Sequence, residues 1–416
     1  MRFEIVTIGA ELLDGTLVDT NTSEVASKLR RIGGDVVRGT TVPDDPDAIR
    51  SALVGALEGA DAVVALGGLG ATSDDRTKQV ASRVFGRNLV LDEELLAHVR
   101  SRFESLGRAM PEINVSQAMV PEGARAIHNP SGTAPGLVME DDARLLFLLP
   151  GVPAEMRAMM DGYVVPFLEG RGLKREGEER ILRTTGISES ALAELIDPTV
   201  RRLARTEVSY LPNLTGVDVR LICAGHGASD ASRTADRSAD RVEELLGRYV
   251  YGRGKEGLEE VVGYLLSMER QTISVAESCT GGLLGHRLTS IPGSSDYMRG
   301  GVIAYSNDLK RRLLKVRAAT LREHGAVSRQ VALAMAAGCA QRCGSDMAVS
   351  VTGIAGPGGG SEEKPVGLVW MAVASRAGER ARSFLFGGPR EAVRVQAAQS
   401  ALDLVRRVLL GIEQDD

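Results

Sequence analysis

Aromatic residues make up only 4% of this 416-residue chain, with a single Trp. A surface that stacks the bases of single-stranded nucleic acid needs such rings. The formal net charge of −5 supplies no general attraction for phosphate backbones, so nucleic acid is not an expected partner. Cysteine is just as scarce. Four Cys do not make a disulfide framework. Cys339 and Cys343, one helical turn apart in AMAAGCAQRCG, lack the second Cys or His pair that zinc needs, and read as small residues on a helix. Long apolar runs are absent too: the longest, near LLFLLPGV, falls short of a membrane span. MRFEIVTIGAELL has neither the charged nor the apolar region of a signal peptide. A cytoplasmic protein without a membrane partner is the expectation.

What is present is an ordinary globular composition, 43% hydrophobic and 25% charged, in a length that implies two to four domains. Residues 1–170 alternate strand runs (FEIVTIG, DVVRGTTV, DAVVALGG, ARLLFLLPG) with helical patterns (TSEVASKLRRIG, PDAIRSALVGALEG, DDRTKQVASRVFG, VPAEMRAMMDGYVVPFL). Continuous apolar strands alternating with helices predict a parallel sheet covered on both faces, a doubly wound α/β domain with ligands outside the carboxyl ends of its strands. Residues 171–254 predict a small α+β unit after the polar stretch GRGLKREGEE: one strand, a helix, two strands joined through Pro212–Gly216, and a helix from ADRSADRVEELLG. GHGASDASRT, with the lone His226, reads as a loop. Residues 255–416 return to α/β alternation and end in a long amphipathic helix.

The segment Thr272–Leu284, TISVAESCTGGLL, carries the strongest chemical signal. A β-branched run, a Gly pair and an apolar helical pattern spell strand, tight turn, helix. That order leaves Ser278 and Cys279 at a helix N-terminus, where backbone N–H groups and the macrodipole favour negative charge. Either a nucleophile or an anion fits there, and in extended geometry only one of the two side chains faces a pocket. A Ser nucleophile needs a base. His286 and His324 are candidates in principle, because triads are assembled in space. Lys310 is another: with Asn307 capping the helix and Tyr305 at a strand end, Lys310 falls in the first helical turn, where the dipole and burial both favour its neutral form. KRRLLK reads equally as a solvated charged face. The glycine-rich IAGPGGG permits close backbone approach to a ligand, or is a plain turn.

The set ESCTGG, AYSNDLK, HGAVS and TGIAGPGGGSEEKPVGLVW resembles, in order and nearly contiguously over residues 255–410, the C-terminal domain of the CinA (competence/damage-inducible) family, whose members are nicotinamide mononucleotide (NMN) deamidases. The resemblance implies hydrolysis of the NMN amide to nicotinic acid mononucleotide and ammonia. By motif match it makes Ser278 the nucleophile, Lys310 its base and Tyr305 an aid to proton transfer. Thr280, Gly281, Gly282, Asn307, Gly353, Ala355 and Gly356 would bind substrate, with no cofactor.

In the first domain three loops stand out: GAELLDG with DTN, GGLGATSDDRT, and NPSGTAPG with PGVPAEM. The GGLG turn offers N–H groups to an anion. Asp74 and Asp75 suit a divalent metal bridging phosphates, or one of them caps the next helix. Thr7, Glu11 and Asp14 are open to the same turn-and-cap reading. These loops resemble the MoaB/MogA-like molybdopterin-binding fold in the branch fused to CinA domains, with Ala71 where the family's GGLGPTxDDxT has Pro. That branch is similar to metal-dependent ADP-ribose pyrophosphatases. The resemblance implies cleavage to AMP and ribose 5-phosphate, with Glu11, Gly67, Gly68, Gly70, Thr72, Gly132 and Thr133 binding substrate and Asp74 and Asp75 holding a Mg-, Mn- or Co-class ion. Residues 171–254 match the family's small KH-like domain, which implies a homodimer. Three further readings stay open: a molybdopterin-binding or adenylylating enzyme, a non-enzymatic scaffold for DNA uptake, and a cysteine-dependent amidase.

Overall fold

A computed structural model describes residues 1–72, 74–105, 107–141, 144–174, 177–225 and 228–412. Ser73 and His226, both within segments singled out above, lie outside the described residues. The chain divides into two compact units, residues 1–176 and 177–416.

The first unit carries strands β1 (Arg2–Ile8), β2 (Asp35–Val42), β3 (Ala62–Leu66), β4 (Leu89–Leu91), β5 (Met119–Pro121), β6 (Arg125–Ile127), β7 (Gly136–Glu140) and β8 (Leu145–Leu149). Six form one sheet in the order β2-β1-β3-β8-β7-β6, while β4 and β5 make a separate ribbon. Alternation shows why both faces are covered. Phe3, Ile5, Val64, Phe147 and Leu149 pack on one side with Val25, Leu29, Met156 and Met159. Val6, Ile8, Val63, Leu146 and Leu148 pack on the other with Ile49, Leu53, Val80 and Ala81. Helices Asn21–Arg31 and Pro153–Met159 supply the first cover, Pro46–Gly59 and Thr77–Val84 the second. Pro46–Gly59 starts as its sequence dictates, with Pro46 in the first turn and the Asp45 carboxylate accepting from the N–H groups of Asp47 and Ala48.

The sheet is not wholly parallel as expected. β1, β2, β3 and β8 are parallel, but β7 pairs antiparallel with β8 and β6 antiparallel with β7. A short connection from Glu140 to Leu145 joins only antiparallel neighbours. Helix Glu93–Ser105 and strands β4 to β7 were not read from the sequence.

The second unit holds two sheets. In the smaller, β9 (Glu178–Thr184), β10 (Thr206–Asn213), β11 (Gly216–Cys223) and β12 (Val250–Arg253) run antiparallel in the order β10-β11-β9-β12. Val217, Val219, Leu221 and Cys223 alternate inward. Helix Ala228–Leu246 begins inside the stretch read as a loop. Buried Ala231, Ala235, Ala239, Val242 and Leu246 form its helical stripe, with alanine alone at its N-terminal end.

The larger sheet contains β13 (Ile273–Glu277), β14 (Met298–Ile303), β15 (Met347–Gly353), β16 (Leu368–Ser375) and β17 (Gly378–Leu385), ordered β14-β13-β15-β16-β17. β13 is parallel to β14 and β15, and the rest pair antiparallel. Large residues of β13, β15 and β16 (Ile273, Val349, Met371) face helices Leu258–Met268 and Arg390–Leu409. Alanines on the opposite face (Ala276, Ala348, Ala372) meet helix Arg329–Cys343 through Ala332, Met335 and Ala336. The two sheets of this unit are tied by buried Arg406, which donates to the carbonyls of Arg248 and Val250 while paired with Asp403.

Candidate active site

β13 ends at Glu277, and helix Leu283–Thr289 follows across a turn in which Gly281 (φ +61°) and Gly282 (φ +100°) take left-handed conformations that L side chains resist. Glu277 is 1% exposed. Its carboxylate accepts from the N–H groups of Gly282 (2.9 Å), Leu284 (3.1 Å) and Gly285 (2.8 Å). The mouth of this helix therefore already holds a carboxylate. The expected anion site at this N-terminus is filled by the chain itself, and Gly281 and Gly282 shape the turn.

Ser278 is the first residue beyond the strand, and its N–H donates to Val351 O. Next door, β14 leads through Ala304 and Tyr305 into helix Asn307–Leu314, whose cap is Ser306: its side chain accepts from Leu309 N. Asn307, expected as the cap, is the first helical residue. Because β13 and β14 are parallel neighbours, both strand ends and both helix starts lie side by side. Lys310, three residues further along this helix, is 2% exposed. Its Nζ lies 3.0 Å from Ser278 Oγ, 2.9 Å from Ala304 O and 3.2 Å from Tyr305 O. All three partners are uncharged. Burial pulls the Lys310 ammonium below its ordinary pKa, with Cys279 opposing weakly.

A cavity of about 270 Å³ opens over this pair, lined by Ser278, Cys279, Tyr305, Asn307 and Lys310, by Gly353, Ala355 and Gly356, and by Arg390. Neither His286 nor His324 lines it. Cys279 is pushed up to about 11, chiefly by burial and further by Glu277, so a thiolate is strongly disfavoured there. Tyr305 contributes its carbonyl to Lys310, and its hydroxyl, 3.1 Å from Arg390 Nη2, faces that guanidinium. Thr280 is buried and does not line the cavity; its carbonyl accepts from Arg394 at 2.9 Å.

Arg390 was missed in sequence. It also donates to Gly356 O at 2.7 Å. A signal was available: Arg390 and Arg394 sit in the first turn and a half of Arg390–Leu409, the end of a helix that disfavours cations.

In the first unit a cavity of about 340 Å³ lies at the carboxyl ends of β1 and β3, lined by Ile8, Leu66 and Gly151 among others. Of the residues expected to bind substrate only Glu11 lines it, joined by Thr7 and by Asp19, Thr20, Asn21, Gly151 and Pro153 of the DTN and PGVPAEM segments. Gly67 and Gly68 adopt φ +103° and +65°, and a Cβ would meet Ile8 O at 2.3 Å or Thr77 Oγ1 at 2.2 Å. Gly67 N donates to Leu149 O, so this amide of the GGLG turn is already engaged. Asp75 Oδ2 accepts from Thr72 N (2.9 Å) and Thr72 Oγ1 (2.6 Å) and lies against Gly70. Gly132 N donates to Asn129 Oδ1, Thr133 Oγ1 accepts from Gln117, and the Glu155 carboxylate packs on Gly132. Among the described residues no three His, Cys, Asp or Glu gather into a metal-binding group. Sequence also missed Lys78, buried beside this loop and donating to Ser116 O and Gln117 O. Burial lowers its pKa to about 8 against the pull of Asp75. No helix among the described residues is long and apolar enough to cross a membrane.

Family models match in series: a probable molybdopterin binding domain over residues 4–170, the damage-inducible protein CinA KH domain over 179–252, and the CinA C-terminal domain over 255–409. A CinA-like protein of Gemmatimonas aurantiaca is 44% identical over 421 residues, covering 100% of this chain and 98% of its own. A putative competence-damage inducible protein of Caldicellulosiruptor bescii is 41% identical, covering 99% and 100%. The crystal structure of a CinA protein with unknown function from Thermoplasma acidophilum shares 38% identity over 39% of this chain and 94% of its own, with a TM-score of 0.37. On identity along its whole length, and on these three domains in this order, the chain belongs to the CinA family.

Proposed function

We propose that the C-terminal domain is an amidohydrolase that converts NMN to nicotinic acid mononucleotide and ammonia. The observation that carries this reading is the Lys310–Ser278 contact. A neutral amine has two N–H groups and one lone pair. The carbonyls of Ala304 and Tyr305 take the two N–H groups, which leaves the lone pair for the Ser278 hydroxyl.

Ser278 Oγ attacks the carboxamide carbon as Lys310 takes the hydroxyl proton. The tetrahedral adduct collapses, Lys310 passes its proton to the departing nitrogen, and ammonia leaves an ester on Ser278. Water, deprotonated by the neutral Lys310, attacks that ester, and the returned proton regenerates Ser278. The sum is NMN plus water giving nicotinic acid mononucleotide plus ammonia. Backbone around Gly353–Gly356 is our candidate for stabilising the oxyanion. Arg390, which with Lys310 supplies the cations of the cavity wall among the described residues, suits the substrate phosphate. Ammonia release from NMN, followed by identification of the acid product, tests the proposal; a stoichiometric NMN deamidation lost in Ser278→Ala is expected.

For the first domain we propose cleavage of ADP-ribose to AMP and ribose 5-phosphate, supported by the cavity at the strand carboxyl ends. Asp74 and Asp75 offer hard oxygen ligands that suit a Mg-class ion, which keeps waters and takes further ligands from phosphates. Such an ion, when bound, would polarise the pyrophosphate. Thr72, through its bonds to Asp75, holds that carboxylate in the loop. EDTA-sensitive release of AMP is the test. A cytoplasmic homodimer joined through residues 171–254 belongs to the same proposal and is checked by sedimentation.

A further inference from the structure

We infer that Arg394 is a positioning residue for the Ser278 nucleophile, gripping the turn that carries the serine from outside the cavity. The inference rests on the amidase reading only for its substrate.

Ser278 is fixed through its backbone. Its N–H donates to Val351 O at 3.0 Å, and its carbonyl accepts from Gly281 N at 3.2 Å, which closes a turn over Ser278–Gly281. The peptide that supplies this Gly281 N–H has Thr280 O at its other end. Arg394 holds that oxygen, donating to it from Nη2 at 2.9 Å and from Nε at 3.3 Å. On the next peptide the Glu277 carboxylate accepts from Gly282 N at 2.9 Å. A guanidinium on a carbonyl and a carboxylate on an N–H thus restrain two successive peptides of the nucleophile turn. Both bonds are charge-assisted, which makes them the stronger kind.

Satisfying the Thr280 carbonyl does not require an arginine, because Leu283 N already donates to it at 3.3 Å. Arg394 is placed there at a cost, in the first turn and a half of helix Arg390–Leu409, where the dipole disfavours a cation. It does not line the cavity, and its remaining bond goes from Nη1 to the Glu391 carboxylate at 2.6 Å. One turn earlier on the same face, Arg390 holds the glycine-rich loop through Gly356 O at 2.7 Å and Tyr305 through its hydroxyl at 3.1 Å. One helix end therefore sets where the nucleophile turn sits against the loop proposed to hold the oxyanion. A misplacement of about 1 Å in such a constellation costs about a hundredfold in rate. That is a reason to spend an arginine on a carbonyl that is already bonded.

The test is steady-state deamidation of NMN by the full-length protein, joined by labelling of Ser278 with a fluorophosphonate, a readout that needs no NMN. In the labelling, Ser278 Oγ forms the P–O bond, fluoride leaves and Lys310 takes the hydroxyl proton. In Arg394→Ala, kcat and kcat/KM should fall together by at least about tenfold at unchanged KM. Labelling, followed by mass spectrometry, should slow by a similar factor. Arg394→Lys, which keeps the charge and one donor, should recover part of both rates. Should the alanine variant not fold, Arg394→Lys alone decides, with a few-fold loss of kcat expected at wild-type KM. Wild-type rates in the deciding variant, a raised KM with kcat unchanged, or a lysine variant as slow as the alanine one would overturn the proposal. Slower labelling in the variants of a protein that does not deamidate NMN sinks the amidase reading and leaves the positioning role standing. NMN turnover that ignores Arg394 does the reverse.

Discussion

Lys310 Nζ and Ser278 Oγ lie 3.0 Å apart although 32 residues separate them in the chain. The parallel pairing of β13 with β14 brings them together, because each strand ends in a turn that opens a helix on the same edge of the sheet. The lysine is buried with no charged partner among the described residues, which is an expensive way to fill a core and a suitable way to keep an amine neutral.

Amide hydrolysis should therefore rise with pH along an apparent pKa below the ordinary lysine value of 10.5, since burial lowers the Lys310 pKa and the deprotonated amine is the active form. Lys310→Arg should lose nearly as much rate as Lys310→Ala, because a guanidinium stays protonated. A pH–rate profile of kcat/KM checks both. A profile flat up to the ordinary lysine range contradicts the base assignment.

Glu277→Ala leaves three backbone N–H groups at the mouth of helix Leu283–Thr289 without their buried acceptor. Urea unfolding should show a loss on the order of 2 kcal/mol. A change near zero would mean that water or a rearranged turn replaces the carboxylate.

Arg390→Ala should raise KM for NMN far more than for nicotinamide riboside, which lacks the phosphate, while kcat changes less. Steady-state kinetics with the two substrates separate these outcomes. An equal loss on both would place Arg390 in holding Tyr305 and Gly356 rather than the phosphate.

In the first domain, Asp75→Ala removes both a candidate metal ligand and the acceptor of two Thr72 bonds. AMP release from ADP-ribose should vanish in this variant and in wild-type protein treated with EDTA, then return on adding Mg²⁺ or Mn²⁺. Full activity after metal removal argues against the metal role.

Strands rich in β-branched residues were legible in sequence: Asp35–Val42 and Met347–Gly353 fall where DVVRGTTV and MAVSVTG placed them. The antiparallel β6 and β7 were not, because short strands without strong patterning carry little periodic signal. The helix hidden in ASDASRT escaped because its buried face is alanine. At the site, Ser278, Tyr305 and Lys310 stand out by motif, and the structure puts Ser278 and the Tyr305 carbonyl on the Lys310 amine. The occupied helix mouth was not foreseeable. The glutamate that fills it precedes the serine in sequence, and only the turn of Gly281 and Gly282 carries the amides back to it.

The most direct measurement is ammonia release from NMN, with the pyridine product identified, for wild type, Ser278→Ala and Cys279→Ala. The account predicts nicotinic acid mononucleotide and ammonia in equal amounts from wild type and from Cys279→Ala, and none from Ser278→Ala. Deamidation that survives in Ser278→Ala, or is lost in Cys279→Ala while that variant stays folded, contradicts it.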